Sequence, residues 1–183
     1  DWSSDVCSSD LSSETLVALH GACTMQSNQR LTASLDGEFV VFLIGMRVNQ
    51  PLRVDKWLPV VAAMTRMIGE LRAQPHLGLL HAEMWTSRTS IMVQYWRSME
   101  QLLQYAKNKN AQHLPAWRAF NKAVGDNGSV GIWHETYAAA PGTYETFYGN
   151  MPPFGLGKAG RLVPAVGGKQ SAAGRLGRAE TAP

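Results

Sequence analysis

Gly131-Ile-Trp-His-Glu-Thr-Tyr137 sets a histidine, a carboxylate, an indole and a phenol in one short β-like run. Met92-Val-Gln-Tyr-Trp-Arg-Ser98 is a second aromatic strand, and Leu77–Trp85 carries His81, Glu83 and Trp85 at alternate positions. Alternate residues share one side of a strand. A histidine so placed can take a proton, a tyrosine can donate to the oxygen anion that results, and indoles can stack on a planar molecule.

His134, with Ile132 and Thr136 to its side, is the first candidate base; its other role would be a hydrogen bond into the sheet or a subunit contact. His81 is the second. Glu83, two residues along, could hold its tautomer, or the two could be a structural pair. Tyr95 is the candidate oxyanion donor. Trp85, Trp96, Trp117 and Trp133 are candidate substrate-stacking residues, and each serves equally as core, since a large aromatic buries ~150–250 Å². Neighbours in a strand point to opposite faces, so Tyr95 and Trp96, or Trp133 and His134, do not share a pocket. His113, beside Pro115–Phe120, is either a haem ligand or a cap on a helix end. No metal site is expected, because His76 and His81 lack the Cys or carboxylate spacing that zinc needs. Nucleotide and serine-hydrolase motifs (Gly-x-Gly-x-x-Gly after a strand, a Walker loop, Gly-x-Ser-x-Gly) are absent from the sequence. No cofactor is predicted; haem at His113 and a flavin held between subunits stay open.

The elements that must carry these residues read clearly. Glu38–Asn49 is an apolar run rich in β-branched and aromatic residues, a strand buried on both faces. From Trp57, apolar residues recur at three- and four-residue steps through Leu71, with Asp55 as N-cap and Gln74-Pro75 as the stop. Leu77–Trp85 and Ser90–Trp96 flank the polar turn Thr86–Thr89. Ser98-Met-Glu-Gln101 is a capping-box pattern that opens a second helix. A short helical piece follows through Leu114, Trp117, Phe120 and Val124, and then the strand Ser129–Tyr137. This order predicts an α+β, ferredoxin-like β-α-β-β-α-β antiparallel sheet with helices on one face, over residues 38–140. The face without helices would be a large apolar patch, so a homodimer is expected, with a pocket between the helices and the sheet of each subunit.

With 183 residues, 45% hydrophobic and 17% charged, the chain suits one globular domain. The basic excess lies in the tail: residues 158–183 hold five basic residues and one acid, against twelve and thirteen in residues 1–157. A nearly neutral body argues against nucleic-acid binding. No apolar run reaches the ~20 residues of a membrane span, and a cytoplasmic protein is expected. Residues 1–11 resemble translated sequencing-adapter DNA and read as an assembly artefact, which leaves Cys23 as the single cysteine. Residues 12–37 read as a lead-in arm, and 141–183 as a docking segment with a mobile basic tail.

Val41-Phe-Leu-Ile-Gly-Met-Arg47, Trp57-Leu-Pro59, Tyr95-Trp-Arg-Ser98, His113-Leu-Pro-Ala-Trp-Arg-Ala-Phe120, Gly131–Tyr137 and Asn150-Met-Pro-Pro153 resemble a monooxygenase-like family of the dimeric α/β-barrel superfamily. Its relatives include antibiotic-biosynthesis monooxygenases and, more remotely, haem-dependent aldoxime dehydratases. The resemblance implies a dimer that oxidises a hydrophobic, aromatic or polyketide-like small molecule with O₂, without a cofactor. A haem enzyme (aldoxime-dehydratase-like or haem-degrading) and a non-catalytic binding dimer are its alternatives.

Overall fold

The structure, a computed structural model, describes residues 29–125 and 127–179. The segment read as an artefact, both cysteines and residues 12–28 of the arm lie outside the described residues. The elements are β1 (Leu31–Ser34), β2 (Phe39–Val48), α1 (Val54–Ala73), β3 (Leu79–Trp85), β4 (Ile91–Trp96), α2 (Met99–Lys107), α3 (His113–Ala123), β5 (Val130–Ala139), α4 (Leu156–Ala159), β6 (Arg161–Pro164) and α5 (Ala172–Arg175).

Strand β2 is the axis of the fold. It pairs antiparallel with β4 on one side and β5 on the other, and β3 flanks β4, giving the order β3-β4-β2-β5. The β2-α1-β3 crossover leaves a gap between its two strands that β4 fills, which is the ferredoxin-like interlock. The α+β class and the element order read from the sequence are therefore those of the molecule.

Helices α1 and α2 cover one face. Ile68 and Leu71 from α1, with Leu102 and Tyr105 from α2, pack on Val40, Ala82, Met92 and Trp96, and Phe42 and Ile44 join the same cluster. Ser98 caps α2 as the sequence pattern predicts, its side chain accepting from the Gln101 N–H at 3.2 Å. The start of α1 differs from expectation. Asp55 lies inside the first turn rather than at the N-cap, where Arg53 stands without a side-chain cap, and Asp55 spends its carboxylate on Arg53.

The opposite, outer face is covered at one end by the chain itself. Phe39, Val41 and Tyr95 pack beneath Ala33, Tyr144, Tyr148, Leu156 and Leu162. Strands β1 and β6 pair with each other above this end, so the "arm" and the "tail" form one small second layer. Their apolar residues are too few and too irregularly spaced to show a period, which is why the sequence reading left them without elements. Arg175 helps tie this segment down: it donates to Glu145 at 2.7 Å and to the carbonyls of Lys169 and Gln170.

Two glycines give opposite tests of this packing. A Cβ at Gly45 would fall 2.0 Å from the Ser90 carbonyl oxygen and 2.7 Å from Trp133 Nε1, whereas one at Gly69, on the exposed side of α1, would meet nothing within 4 Å. Gly45→Ala should destabilise by about 1–3 kcal/mol and Gly69→Ala should stabilise by roughly 0.4–1 kcal/mol, read as opposite shifts of the urea midpoint at constant m-value.

Candidate active site

Strand β3 aims the site through an irregularity in its own pairing. Leu79 lies opposite Trp96 and His81 opposite Tyr95, with a register shift between them. The residue in excess on β3 is Leu80. Such a bulge re-aims every later side chain. Leu79 consequently packs in the helix-side core while His81, Glu83 and Trp85 turn to the outer face. Plain alternation had put Leu79 and His81 together, and the bulge separates them.

His81 and Glu83 are mostly buried, with side chains 21% and 15% exposed, and His81 Nε2 lies 3.1 Å from Glu83 Oε1. Lys158, from α4, donates to the same carboxylate oxygen at 2.6 Å. The histidine contact is close but off the line of a hydrogen bond. Both His81 Nε2 and Glu83 Oε2 are buried without a hydrogen-bond partner. Buried polar atoms are ordinarily paired, so these two atoms on neighbouring side chains make the pair a candidate site for a ligand or water. Burial works against ionisation of Glu83, yet the hydrogen bond and charge of Lys158, with the adjoining His81, outweigh it and hold the carboxyl below its usual range.

Tyr95, the cross-strand partner of His81, lies under the strap of residues 154–158. Burial raises its pKa, and nearby Tyr148 and Glu83 raise it further, against the opposing hydrogen bond from the Leu156 backbone. The phenol is therefore neutral at ordinary pH and keeps its proton to donate. Gly155 makes this contact feasible: its φ is +53° and a Cβ there would come within 2.9 Å of the Tyr95 hydroxyl. Tyr148 fastens the same strap, donating to the Phe154 carbonyl and accepting from the Gly157 N–H, each at 3.0 Å.

An apolar wall continues from this cluster across the sheet. Trp85 and Phe154, both more than a third exposed, meet at 5.7 Å between ring centroids. Beyond them lie the partly exposed Ile91, Val93 and Leu43. Trp133 lies across Gly45, its cross-strand partner, with its indole Nε1 buried and unpartnered.

The structure thus gathers His81, Tyr95, Trp85 and Trp133 on one face and sends the other named residues elsewhere. His134 is on the helix-side face of β5, exposed, with its ring 5.7 Å from that of Phe42. Trp96 is 1% exposed, deep in the core, and its N–H donates to Gln94 at 2.8 Å; it offers no free ring face to a substrate. Trp117 is on α3, stacked on Phe120. His113 Nδ1 lies 3.0 Å from the Ala106 carbonyl in the last turn of α2, and its ring faces Tyr105. That contact ties α3 to α2 and leaves Nε2 as the nitrogen free for an iron. Cavities of ≈ 350 Å³ and ≈ 400 Å³ lie beside the β1–β6 layer, and neither is lined by a histidine, so neither would seat a haem on His113. Among the described residues no group of three His, Cys, Asp or Glu could hold a metal ion. The space between helices and sheet, where a pocket was expected, is filled by the close-packed cluster around Trp96.

Lys158, Tyr148 and Gly155 were missed by sequence reading. Their one signal is Gly155-Leu-Gly157 after Pro152-Pro153, a stretch where backbone must pass close to something.

A four-stranded antiparallel sheet in this order, with two helices beneath it, defines a ferredoxin-like α+β fold. The chain belongs to the Monooxygenase af470-like family, whose sequence pattern matches residues 39–156. Monooxygenase af470 of Aspergillus fumigatus is 30% identical over 137 residues, which are 67% of this chain and 46% of that protein. The chain thus spans just under half the length of that curated relative. Among solved structures, an aldoxime dehydratase in complex with butyraldoxime superimposes on 73% of this chain and 39% of its own, with a TM-score of 0.58 and 14% identity. A second aldoxime dehydratase covers 86% of this chain and 46% of its own, at a TM-score of 0.54 and 16% identity. At such identities these structures establish the fold alone.

The lowered pKa of Glu83 carries a pH signature. A carboxyl depressed in the folded state stabilises fully above its unfolded value of about 4.3 and loses that contribution as pH falls through the folded value. Glu83→Gln should therefore cost roughly 0.5–1 kcal/mol at pH 7, a modest figure because Lys158 is 44% exposed and solvent screens the pair. The gap between the two proteins should close below about pH 4 when urea midpoints are compared across pH.

Proposed function

We propose that the chain is the subunit of a cytoplasmic homodimeric monooxygenase that oxidises a hydrophobic, aromatic or polyketide-like small molecule with O₂, without haem or flavin. The observation that carries this reading is the mostly buried His81–Glu83 pair, with Nε2 unspent, beside a protonated phenol and an aromatic wall. Membership of the monooxygenase family supports the reaction class.

In this reading the substrate is its own reductant. A methylene between aromatic rings, in balance with its phenol tautomer, loses a proton to His81 Nε2, and Glu83 stabilises the imidazolium that forms. Tyr95 donates toward the developing oxygen anion. The carbanion passes electrons to O₂; one oxygen atom ends in the substrate as a carbonyl, replacing the two methylene hydrogens, and the other leaves as water. Trp85 and Trp133 flank the planar substrate. His134 remains the alternative base, but it stands in solvent with no carboxylate to orient it.

The dimer reading is supported by the wall that the described residues leave partly uncovered. Leu43, Val93 and Ile91 are apolar and partly exposed on the outer face, and a second copy laid on this face would bury them.

The decisive test is O₂ uptake with an anthrone-type substrate. His81→Ala should lower kcat by roughly 100-fold or more, as expected for loss of a general base, and His134→Ala should leave it within about threefold, a change of less than 1 kcal/mol in the barrier. The reverse pattern would move the site to the helix side. Light scattering should give a dimer that Val93→Lys converts to monomer; a monomeric parent protein would remove the second copy from the site.

A further inference from the structure

We infer that Lys158 is the anion-binding residue of this site and that the substrate's reacting group is consequently a phenol or enol that binds as its oxyanion. The inference rests on the outer-face site proposed above and concerns the compensating positive charge for the anion, which the neutral Tyr95 donor does not bring.

Before proton transfer the cluster holds the Glu83 carboxylate and the Lys158 ammonium, paired at 2.6 Å, with the Tyr95 phenol un-ionised and the His81 imidazole in the role of the base. After transfer it holds two more charges, imidazolium and substrate anion. An unpaired charge in a largely desolvated site is costly, so each of the four needs a partner. The geometry supplies the exchange. His81 Nε2 is already 3.1 Å from the same Glu83 oxygen that Lys158 uses, so the imidazolium takes over Glu83 as it forms. Lys158 is then released to the oxyanion, and the sum of charges is zero before and after.

The side chain is equipped for that switch. An ammonium has three donors, and the contact with Glu83 uses one. Its backbone cannot drift, because Tyr148 fixes residues 154 and 157 on either side of the turn, while the side chain itself is half-exposed. A fixed base with a mobile, partly solvated head is how lysine serves as a movable point charge. Phe154, on the same strap, faces Trp85 at the rim, so an aromatic ring entering there would bring its hydroxyl toward Lys158.

The probe is 4-nitrophenol, whose phenolate is read by its visible absorbance. Bound to the intact protein, it should ionise at least one pH unit lower than in buffer, equivalent to about tenfold tighter binding of the phenolate than of the phenol. Lys158→Arg should retain the shift and Lys158→Met should abolish it. Because Lys158→Met leaves Glu83 unpaired, Glu83→Gln/Lys158→Met is measured beside it, and it too should show no shift. An unshifted titration or no saturable binding by the parent protein overturns the inference, as does a shift that survives in both methionine variants. Phenolate binding without O₂ uptake would leave this inference standing and overturn the monooxygenase reading; O₂ uptake without the shift would do the opposite.

Discussion

The constraint that organises this molecule is that β2 is apolar on both faces while helices can cover only one. Val40, Phe42 and Ile44 face α1 and α2; Phe39, Val41 and Leu43 point the other way. A strand of this kind at the centre of a sheet forces the rest of the chain to supply a second cover. The chain does so by returning after β5, laying Tyr144, Tyr148 and Leu156 over Phe39, Val41 and Tyr95, and locking the return with the β1–β6 pairing. The strap that bears Lys158 exists because that apolar end had to be closed.

Once the strap is in place, electrostatics decides what can lie beneath it. Glu83 loses most of its water, and a carboxylate so placed persists as an ion only with a compensating charge and donors. Lys158 provides both. Tyr95 meets the opposite fate: with a carboxylate nearby and little solvent, its phenol is held protonated. One burial event thus yields an anion, a cation, a neutral donor and an imidazole within a few residues of chain on each of three elements. This is an environment that pushes titratable groups apart, the condition under which acid and base roles separate.

How far this was legible in the sequence varies with the kind of signal. Periodicity of 2 in β4 and of 3.6 in α1 announced those elements, and the Ser98 pattern announced the cap. The faces of Tyr95 against Trp96 and of Trp133 against His134 followed from alternation alone. The bulge at Leu80 left no mark in residue type, so the separation of Leu79 from His81 was invisible. In the densest cluster of reactive residue types, Gly131–Tyr137, the stretch from His134 to Tyr137 is exposed, whereas His81 and Glu83 on β3, the other edge strand, are mostly buried; residue type reported potential chemistry, and burial, which selects among candidates, is a tertiary property. Lys158 was hidden for the same reason. Its partner is 75 residues away, and its own neighbourhood has no period.

The strap also shapes what the uncovered part of the outer face can do. Two flat sheets pressed together close to about 10 Å and fill the gap with side chains, leaving no room for a substrate. Here the β1–β6 layer and residues 154–158 stand above the sheet at one end. In the proposed dimer they keep the partner's sheet from settling onto Glu83, His81 and Trp85, while Val93, directly across from Glu83, and Leu43 beyond it are left to make contact. The same segment therefore closes an apolar end, supplies a cation and acts as a spacer. In that proposed arrangement it would turn an interface surface into the wall of a cavity, giving the His81–Glu83–Tyr95 cluster room on a face that would otherwise only pack.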